Sequence, residues 1–297
     1  METLESLRRR ITSVQDVQSV VTTMKTLAAV NIRQYEAAVE ALSDYDHALQ
    51  LAFQVLLRGR ELPTRVSTAT ESNAAGAVVF GSDQGMCGMF NDEIASFALR
   101  HLKRESGDMT WSLLTVGARA QERLRAGGYL VEHNYSLPVS GADITRLVQE
   151  LLPHVQRWQA ERKISRLFVF YNTRTSASSY HPGQIQLLPI SRQQMEAWKH
   201  QPWQSRSLPL YTMAWRELFS AAVRQYLFLS LFRACAESLA SENASRIASM
   251  QAAEKNIDER LMTLQTRFHQ LRQTSITEEL LDVVTGFEAL AKTRRRR

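Results

Sequence analysis

Neither glycine nor proline occurs in the first 58 residues of this 297-residue chain, and neither returns between Leu210 and Thr285. All seven prolines and eleven of the twelve glycines lie between Gly59 and Pro209. Inside a helix these residues cost roughly 3 and 1 kcal/mol respectively. Two segments free of both therefore predict two very long helices around a compact middle, since ordinary globular helices average only about 11–12 residues. Cysteine is scarce as well: Cys87 and Cys235 are the whole supply, which points to a reducing compartment. No apolar run follows the charged opening from Met1 to Arg10, so no secretory signal is expected. The most apolar stretch, Gln225 to Phe232, falls well short of the roughly 20 residues that a bilayer span needs. A soluble cytoplasmic protein is the expectation.

What charge there is sits unevenly. Of the net +6, Lys292 and Arg294 to Arg297 contribute five. A near-neutral body with one basic end is poor support for nucleic-acid binding, and such an end reads first as a solvated tail.

The N-terminal arm carries an apolar seam. Leu4, Leu7, Ile11, Val14, Val17, Val21, Met24, Ala28, Ile32 and Tyr35 recur at alternating steps of three and four, and the series continues through Val39, Leu42, a polar Asp46, Leu49, Phe53 and Leu56. That spacing lays one stripe against a partner helix in a left-handed coiled coil. The C-terminal arm repeats it from Leu218 through Leu239, Ala244, Ile247, Met250, Ile257, Leu261, Leu264, Phe268 and Leu271. One arm enters the middle and the other leaves it, so the two pair antiparallel. With 76 residues against 58, the second arm outruns the first by roughly 27 Å at 1.5 Å per residue. The overhang holds Leu280, Leu281, Val283, Val284, Phe287 and Leu290. An apolar patch of that kind marks a surface for a partner protein.

The middle reads as α/β with a parallel sheet. Ala77 to Gly81, Trp111 to Gly117 and Arg166 to Asn172 are short apolar runs bounded by turn residues, with a final strand expected over Gln184 to Ile190. Helical patterns lie between them at Asp92 to Arg104, Ala118 to Arg125 and Ala142 to Arg162, with a kink expected at Pro153. The expected division is a coiled-coil helix over residues 1–62, a Rossmann-like α/β domain over 63–209, and a second coiled-coil helix with a basic tail over 210–297. One loop has a chemical look: Gly81-Ser82-Asp83-Gln84-Gly85-Met86-Cys87-Gly88, after a strand and before a helix. It lacks the Gly-Lys-Ser/Thr of a P-loop and the Gly-x-Gly-x-x-Gly of a dinucleotide site. Cys87 could serve as a nucleophile only beside a base, and a tight turn around a packed thiol is the simpler reading. No spacing of Cys and His suggests zinc, and no acidic loop suggests calcium.

Four motifs then fall in order. Glu237-Ser238-Leu239-Ala240-Ser241-Glu242-Asn243-Ala244-Ser245-Arg246 is similar to E-S-x-A-S-E-x-A-x-R of the gamma subunits of F-type ATP synthases. Arg272-Gln273-Thr274-Ser275-Ile276-Thr277-Glu278-Glu279-Leu280 resembles their R-Q-x-x-I-T-x-E-[IL]. The Ser82 to Gly88 loop resembles their S-D-R-G-L-C-G, and Arg8 to Ile11, Met24, Ala28-Ala29 and Arg33 fall on their opening helix. The departures (Val30-Asn31-Ile32 for Ser-Lys-Met, Gln84 for Arg, Glu254-Lys255-Asn256 for Thr-Asp-Asn) suggest a divergent bacterial branch.

The resemblance implies a rotor: a shaft inside an α3β3 hexamer, above an epsilon subunit and a membrane c-ring, on the cytoplasmic face of a bacterial plasma membrane. It implies no catalytic residue, cofactor, metal or small-molecule substrate of the chain's own, and no nucleic acid. Contacts with β subunits would fall on Met24, Lys25, Arg33, Arg246, Arg272, Gln273 and Thr277. The tip within the hexamer would be Leu280, Val283, Val284, Phe287 and Leu290. The epsilon and c-ring side would be Ser82, Asp83, Gln84 and Pro209. Two other classes remain open on the residues alone: an α/β enzyme dimerised through its arms, and a nucleic-acid-binding coiled coil using the basic tail.

Overall fold

The computed structural model describes residues 3–58, 73–105, 109–175, 179–203 and 211–294, with side chains described as far as Thr285. It divides into two compact units, Leu27–Ser249 and the pair Met1–Thr26 with Met250–Arg297.

A five-stranded sheet organises the first unit. Its strands are β1 (Ala74–Phe80), β2 (Thr110–Val116), β3 (Val131–Tyr135), β4 (Arg166–Arg174) and β5 (Tyr180–Leu188), in the spatial order β3-β2-β1-β4-β5. The first four are parallel. β1 reads Ala-Ala-Gly-Ala-Val-Val-Phe and is buried from Ala75 onward, as a central strand covered on both faces requires. Alternate residues serve the two faces. Ala75, Ala77 and Val79 pack with Ile94, Ala98, Leu102 and Leu124 of helices α3 (Phe90–Arg104) and α4 (Ala118–Ala126). Val78 and Phe80 turn the other way, into a larger core shared by α2 (Ser43–Leu57), α5 (Gly141–Glu161), α6 (Arg192–Lys199) and the inner part of α7 (Trp215–Arg294).

The structure adds three features to the expected architecture. The N-terminal arm is two helices: α1 (Leu4–Glu40) stops, Ala41 and Leu42 turn, and α2 begins. No glycine or proline marks the break. The signal is a second helix start, Ser43-Asp44 with Asp46, whose acids sit in the first turn of α2. Packing then holds α2 in place, with Phe53 stacked on Trp198 at 4.3 Å and edge-on to Phe219 at 6.0 Å. The sheet is mixed rather than wholly parallel, because β5 pairs antiparallel with β4. Only residues 175–179 separate those strands, enough for a hairpin and too few for a parallel crossover. Finally, Val131–Tyr135 is a strand that no apolar run announces: only Val131 and Tyr135 are buried, as befits an edge. Helix α5 continues through Pro153.

The second unit is a pair of helical segments, the first turns of α1 and the outer part of α7. Leu7, Val21, Leu261 and Leu264 are buried along its seam. Gln18 donates to Asp258 at 2.7 Å, and Lys25 pairs with Glu254 at 2.5 Å. The partner's number falls as α1 advances, so the segments run antiparallel.

Candidate functional site

In an open α/β sheet, ligands bind beyond the carboxyl ends of the strands, where the strand order reverses. Here that point lies between β1 and β4. The protein's own helix α7 fills it. Ser245 Oγ donates to the Cys87 carbonyl at 2.6 Å, in the loop that follows β1. One turn earlier, the Ser241 hydroxyl is shared between the Asn172 carbonyl of β4 at 2.9 Å and the Glu237 carbonyl of its own helix at 2.8 Å. Asn172 in turn donates to the Phe90 carbonyl at the start of α3, 3.1 Å away. Small side chains make the approach close enough: Ala234, Ala236, Ser238, Ala240, Ser241, Ala244 and Ser245 are all buried. Gly88 adopts φ +58°, and a Cβ there would stand 3.2 Å from Ser249 Oγ.

The loop itself spends its polar groups internally. Asp83 accepts from the Ala118 N–H at 2.9 Å, opening α4, and from the Leu137 N–H at 2.8 Å, beyond β3. A helix N-terminus that could have held an anion is thereby occupied by a side chain of the fold. Ser82 is fully buried, with its N–H held by Asn91 Oδ1 at 2.9 Å. Gly117, at φ +104°, can only be glycine, since a Cβ would meet the Ser82 backbone at 2.7 Å. Burial raises the Cys87 thiol pKa against the pull of Ser82, the direction opposite to that of an activated thiolate. The second free thiol, Cys235, is buried too.

One ion pair lies inside this region. Glu242 and Arg246 meet at 2.6 Å with side chains only 7% and 11% exposed. Burial raises the Glu242 pKa, and Arg246 pulls it back. The pair belongs to one helix, and across it on α1 the Tyr35 hydroxyl is pushed up to about 12, by burial first and then by Glu242. Two cavities open elsewhere in this unit. One of about 430 Å³ includes Tyr135, Asp143, Arg146 and Glu150. The other, about 250 Å³, is walled by Phe53, Trp198 and Tyr226 with Asp46 and Arg233 at 3.0 Å from each other. Among the described residues no group of three or more His, Cys, Asp or Glu could hold a metal ion.

The expected contact residues scatter over both units. Met24 and Lys25 are half-buried on α1, with the Lys25 ammonium answered by Glu254. Arg33 is exposed, Arg246 is largely buried, and Arg272, Gln273 and Thr277 are exposed on outer α7. Gln84 is exposed; Asp83 is half-buried. Pro209 lies outside the described residues, and the side chains of Phe287 and Leu290 lie beyond the described part of α7. Counting outward from Lys25 opposite Glu254 brings Leu4 level with Ser275. α7 continues past that level to Arg294, and Leu280, Val283 and Val284 there are 60%, 64% and 45% exposed. What the motif reading missed is Ser241 and Ser245 as anchors in the sheet crevice and Asp83 as a backbone cap. Their visible signal was a run of small residues where a long helix ordinarily carries large ones.

One unit is thus an α/β domain whose ligand crevice is filled by its own helix, and the other is an antiparallel helix pair with an unmatched apolar end. The sequence profile of the ATP synthase family matches residues 3–290, and the chain belongs to that family. It is 27% identical to the ATP synthase gamma chain of Syntrophus aciditrophicus, over 98% of this chain and all of that one. With the gamma chain of Granulibacter bethesdensis the identity is 29%, again over 98% of this chain and 100% of the relative. Its fold is that of the rotor of Euglena gracilis mitochondrial ATP synthase (TM-score 0.61, 15% identity, 92% of this chain and 98% of that one). A chain from the OSCP/F1/c-ring structure of the same enzyme gives a TM-score of 0.62 at 17% identity, over 97% and 94% of the two chains.

Proposed function

We propose that this chain is the central-stalk rotor of a bacterial F-type ATP synthase, turning inside a hexamer of α and β subunits while its domain stands on an epsilon subunit and a c-ring. The observation that carries the reading is the bare apolar end of α7, with Ile276, Leu280, Leu281, Val283 and Val284 exposed past the last residue of α1 that could cover them. Five large apolar side chains in three turns are a surface built for a sleeve of other polypeptides. Membership of the family and the gamma-chain names of the relatives support it.

In this role the chain forms no bond and holds no nucleotide. It converts rotation into unequal contact with three β subunits, through Met24, Lys25, Arg33, Arg272, Gln273 and Thr277, with Leu280, Val283, Val284, Phe287 and Leu290 seated in the hexamer; Arg246, expected among these contacts, is instead turned onto buried Glu242. Gln84 and Pro209 fall on the epsilon and c-ring side, while Ser82 is buried beneath that loop and Asp83 is held by backbone N–H groups of the fold. Among the described residues no helix is long and apolar enough to cross a membrane, so attachment to the cytoplasmic face of the membrane comes through the c-ring. Purification of the tagged chain from its host tests the reading. Three α-type and three β-type ATPase chains per copy are expected; a homodimer free of them would overturn it.

A further inference from the structure

A helix buried on every side is held by something other than an apolar stripe. From Ala234 to Ser245 only Glu237 of α7 reaches solvent. Apolar burial is non-directional, and Ala, Ser and Cys supply eight of the twelve residues of that stretch, with Leu239, Glu242 and Asn243 the larger side chains buried among them, so most of its wall is nearly smooth. Such a wall resists withdrawal of the helix far better than rotation about its own axis or a short slide along it. The Glu242–Arg246 pair adds little resistance, because both partners ride on α7 and turn with it. Directional bonds to the surrounding domain are what set azimuth and height. Ser245 to the Cys87 carbonyl is one such bond, and Ser241 to the Asn172 carbonyl, its proton shared with the Glu237 carbonyl of α7 itself, is a second one turn away; both are buried. Their acceptors are themselves fixed. Asn172 is tied to Phe90, and the Cys87 loop is tied by Ser82, Asn91 and Asp83 to α3, α4 and the segment after β3.

We propose that Ser241 and Ser245 are positioning residues that key α7 into the domain, so that torque on one is delivered to the other without slip. The crevice that related folds use for a ligand has become the keyway of a shaft. This inference rests on the rotor reading, and its test separates the two.

The test uses the whole membrane complex in vesicles, with ATP hydrolysis and membrane potential measured together, the latter by a potential-sensitive dye. For Ser241→Ala/Ser245→Ala, potential generated per ATP hydrolysed is expected to fall at least twofold, with hydrolysis within twofold of the parent. Gly88→Ala, which crowds Ser245 and Ser249 without removing a hydroxyl, is expected to lower the same ratio. Leu124→Ala, in the core on the far side of the sheet, serves as a control for lost stability and should leave the ratio unchanged. An unchanged ratio in the double variant overturns the proposal, as does an equal fall in the Leu124→Ala control. If the double variant does not assemble, Ser245→Ala alone decides by the same ratio. A parent chain that does not enter the complex at all counts against the rotor reading instead.

Discussion

Between Ala234 and Ser245 helix α7 hides eleven of twelve residues, while between Arg272 and Thr285 every residue but Ser275 is exposed. The composition runs against the burial. The hidden stretch is mostly alanine, serine and single polar groups, whereas the bare one carries Ile276, Leu280, Leu281, Val283 and Val284. An isolated globular protein would arrange these the other way round. The inner stretch is shaped by close approach to its own domain, where small residues let backbones meet. The outer stretch is shaped by something outside the chain. Burial along a long helix is thus set by what surrounds each turn, and apolar content alone would have misplaced both.

The largest effect expected from this contrast comes from removing the outer stretch. A chain ending at Gln270 should leave the unit of residues 27–249 melting as before, because none of the lost side chains belongs to its core. Seating in the hexamer should suffer badly. Burial of one Leu or Val is worth roughly 1.5–3 kcal/mol, and about 1.4 kcal/mol is tenfold in affinity, so two lost anchors already imply about a hundredfold. Titration of the truncated chain against reconstituted α3β3 measures it. Equal binding by the short and full chains would sink the account of the exposed end.

The inner stretch breaks differently. Arg246→Met leaves Glu242 buried without its partner, at a cost of about 3–5 kcal/mol in folding stability. The pH dependence gives the sign. Burial has raised the Glu242 pKa above its ordinary 4.5, against the pull of Arg246. The folded chain therefore holds this proton more tightly than the unfolded chain, and the stability it brings is full below the ordinary carboxylate range and lost as pH rises through the folded value. Without Arg246 that folded value climbs further, so the deficit of the variant grows from acid toward neutral pH. Urea unfolding at pH 4.5 and pH 7.5 reads the difference. A deficit that is constant with pH would mean that the arginine contributes packing alone.

The long elements were legible because their signal is repetition: α7 follows from the missing glycines and the seam, and β1, β2 and β4 from short buried apolar runs. The break at Ala41–Leu42 was not, since an absence of helix breakers says nothing about a second helix start, and Ser43-Asp44 speaks softly. β3 was invisible because an edge strand with two buried residues carries no apolar run. The direction of β5 lay in a distance, the five residues between strands, rather than in composition. Of the site, the motif around Ser241 and Ser245 was readable as a family signature, but its physical meaning was not. Which carbonyls those hydroxyls reach depends on Asn172 and Cys87, 69 and 158 residues away, and no local pattern encodes that.

Two of the ion pairs on the helix arms give the finest comparison, and the smallest expected effect. Lys25 and Glu254 meet at 2.5 Å across the helix pair, yet their side chains are 30% and 29% exposed, against 11% and 7% for Arg246 and Glu242. Water at the outer pair screens the attraction and solvates either partner when the other is lost. A double-mutant cycle of Lys25→Ala and Glu254→Ala should therefore show a coupling of about 0.5–1 kcal/mol. In 1 M salt, where the screening length is about 3 Å, most of that should vanish. The charge pair would then contribute mainly to register: sliding one helix by a heptad brings Lys25 level with Leu261 or Ile247, and neither can answer an ammonium. A coupling above about 2 kcal/mol that survives salt would place this pair in the same class as the buried one, and the distinction between an outer stretch shaped by partners and an inner stretch shaped by the domain would lose its electrostatic half.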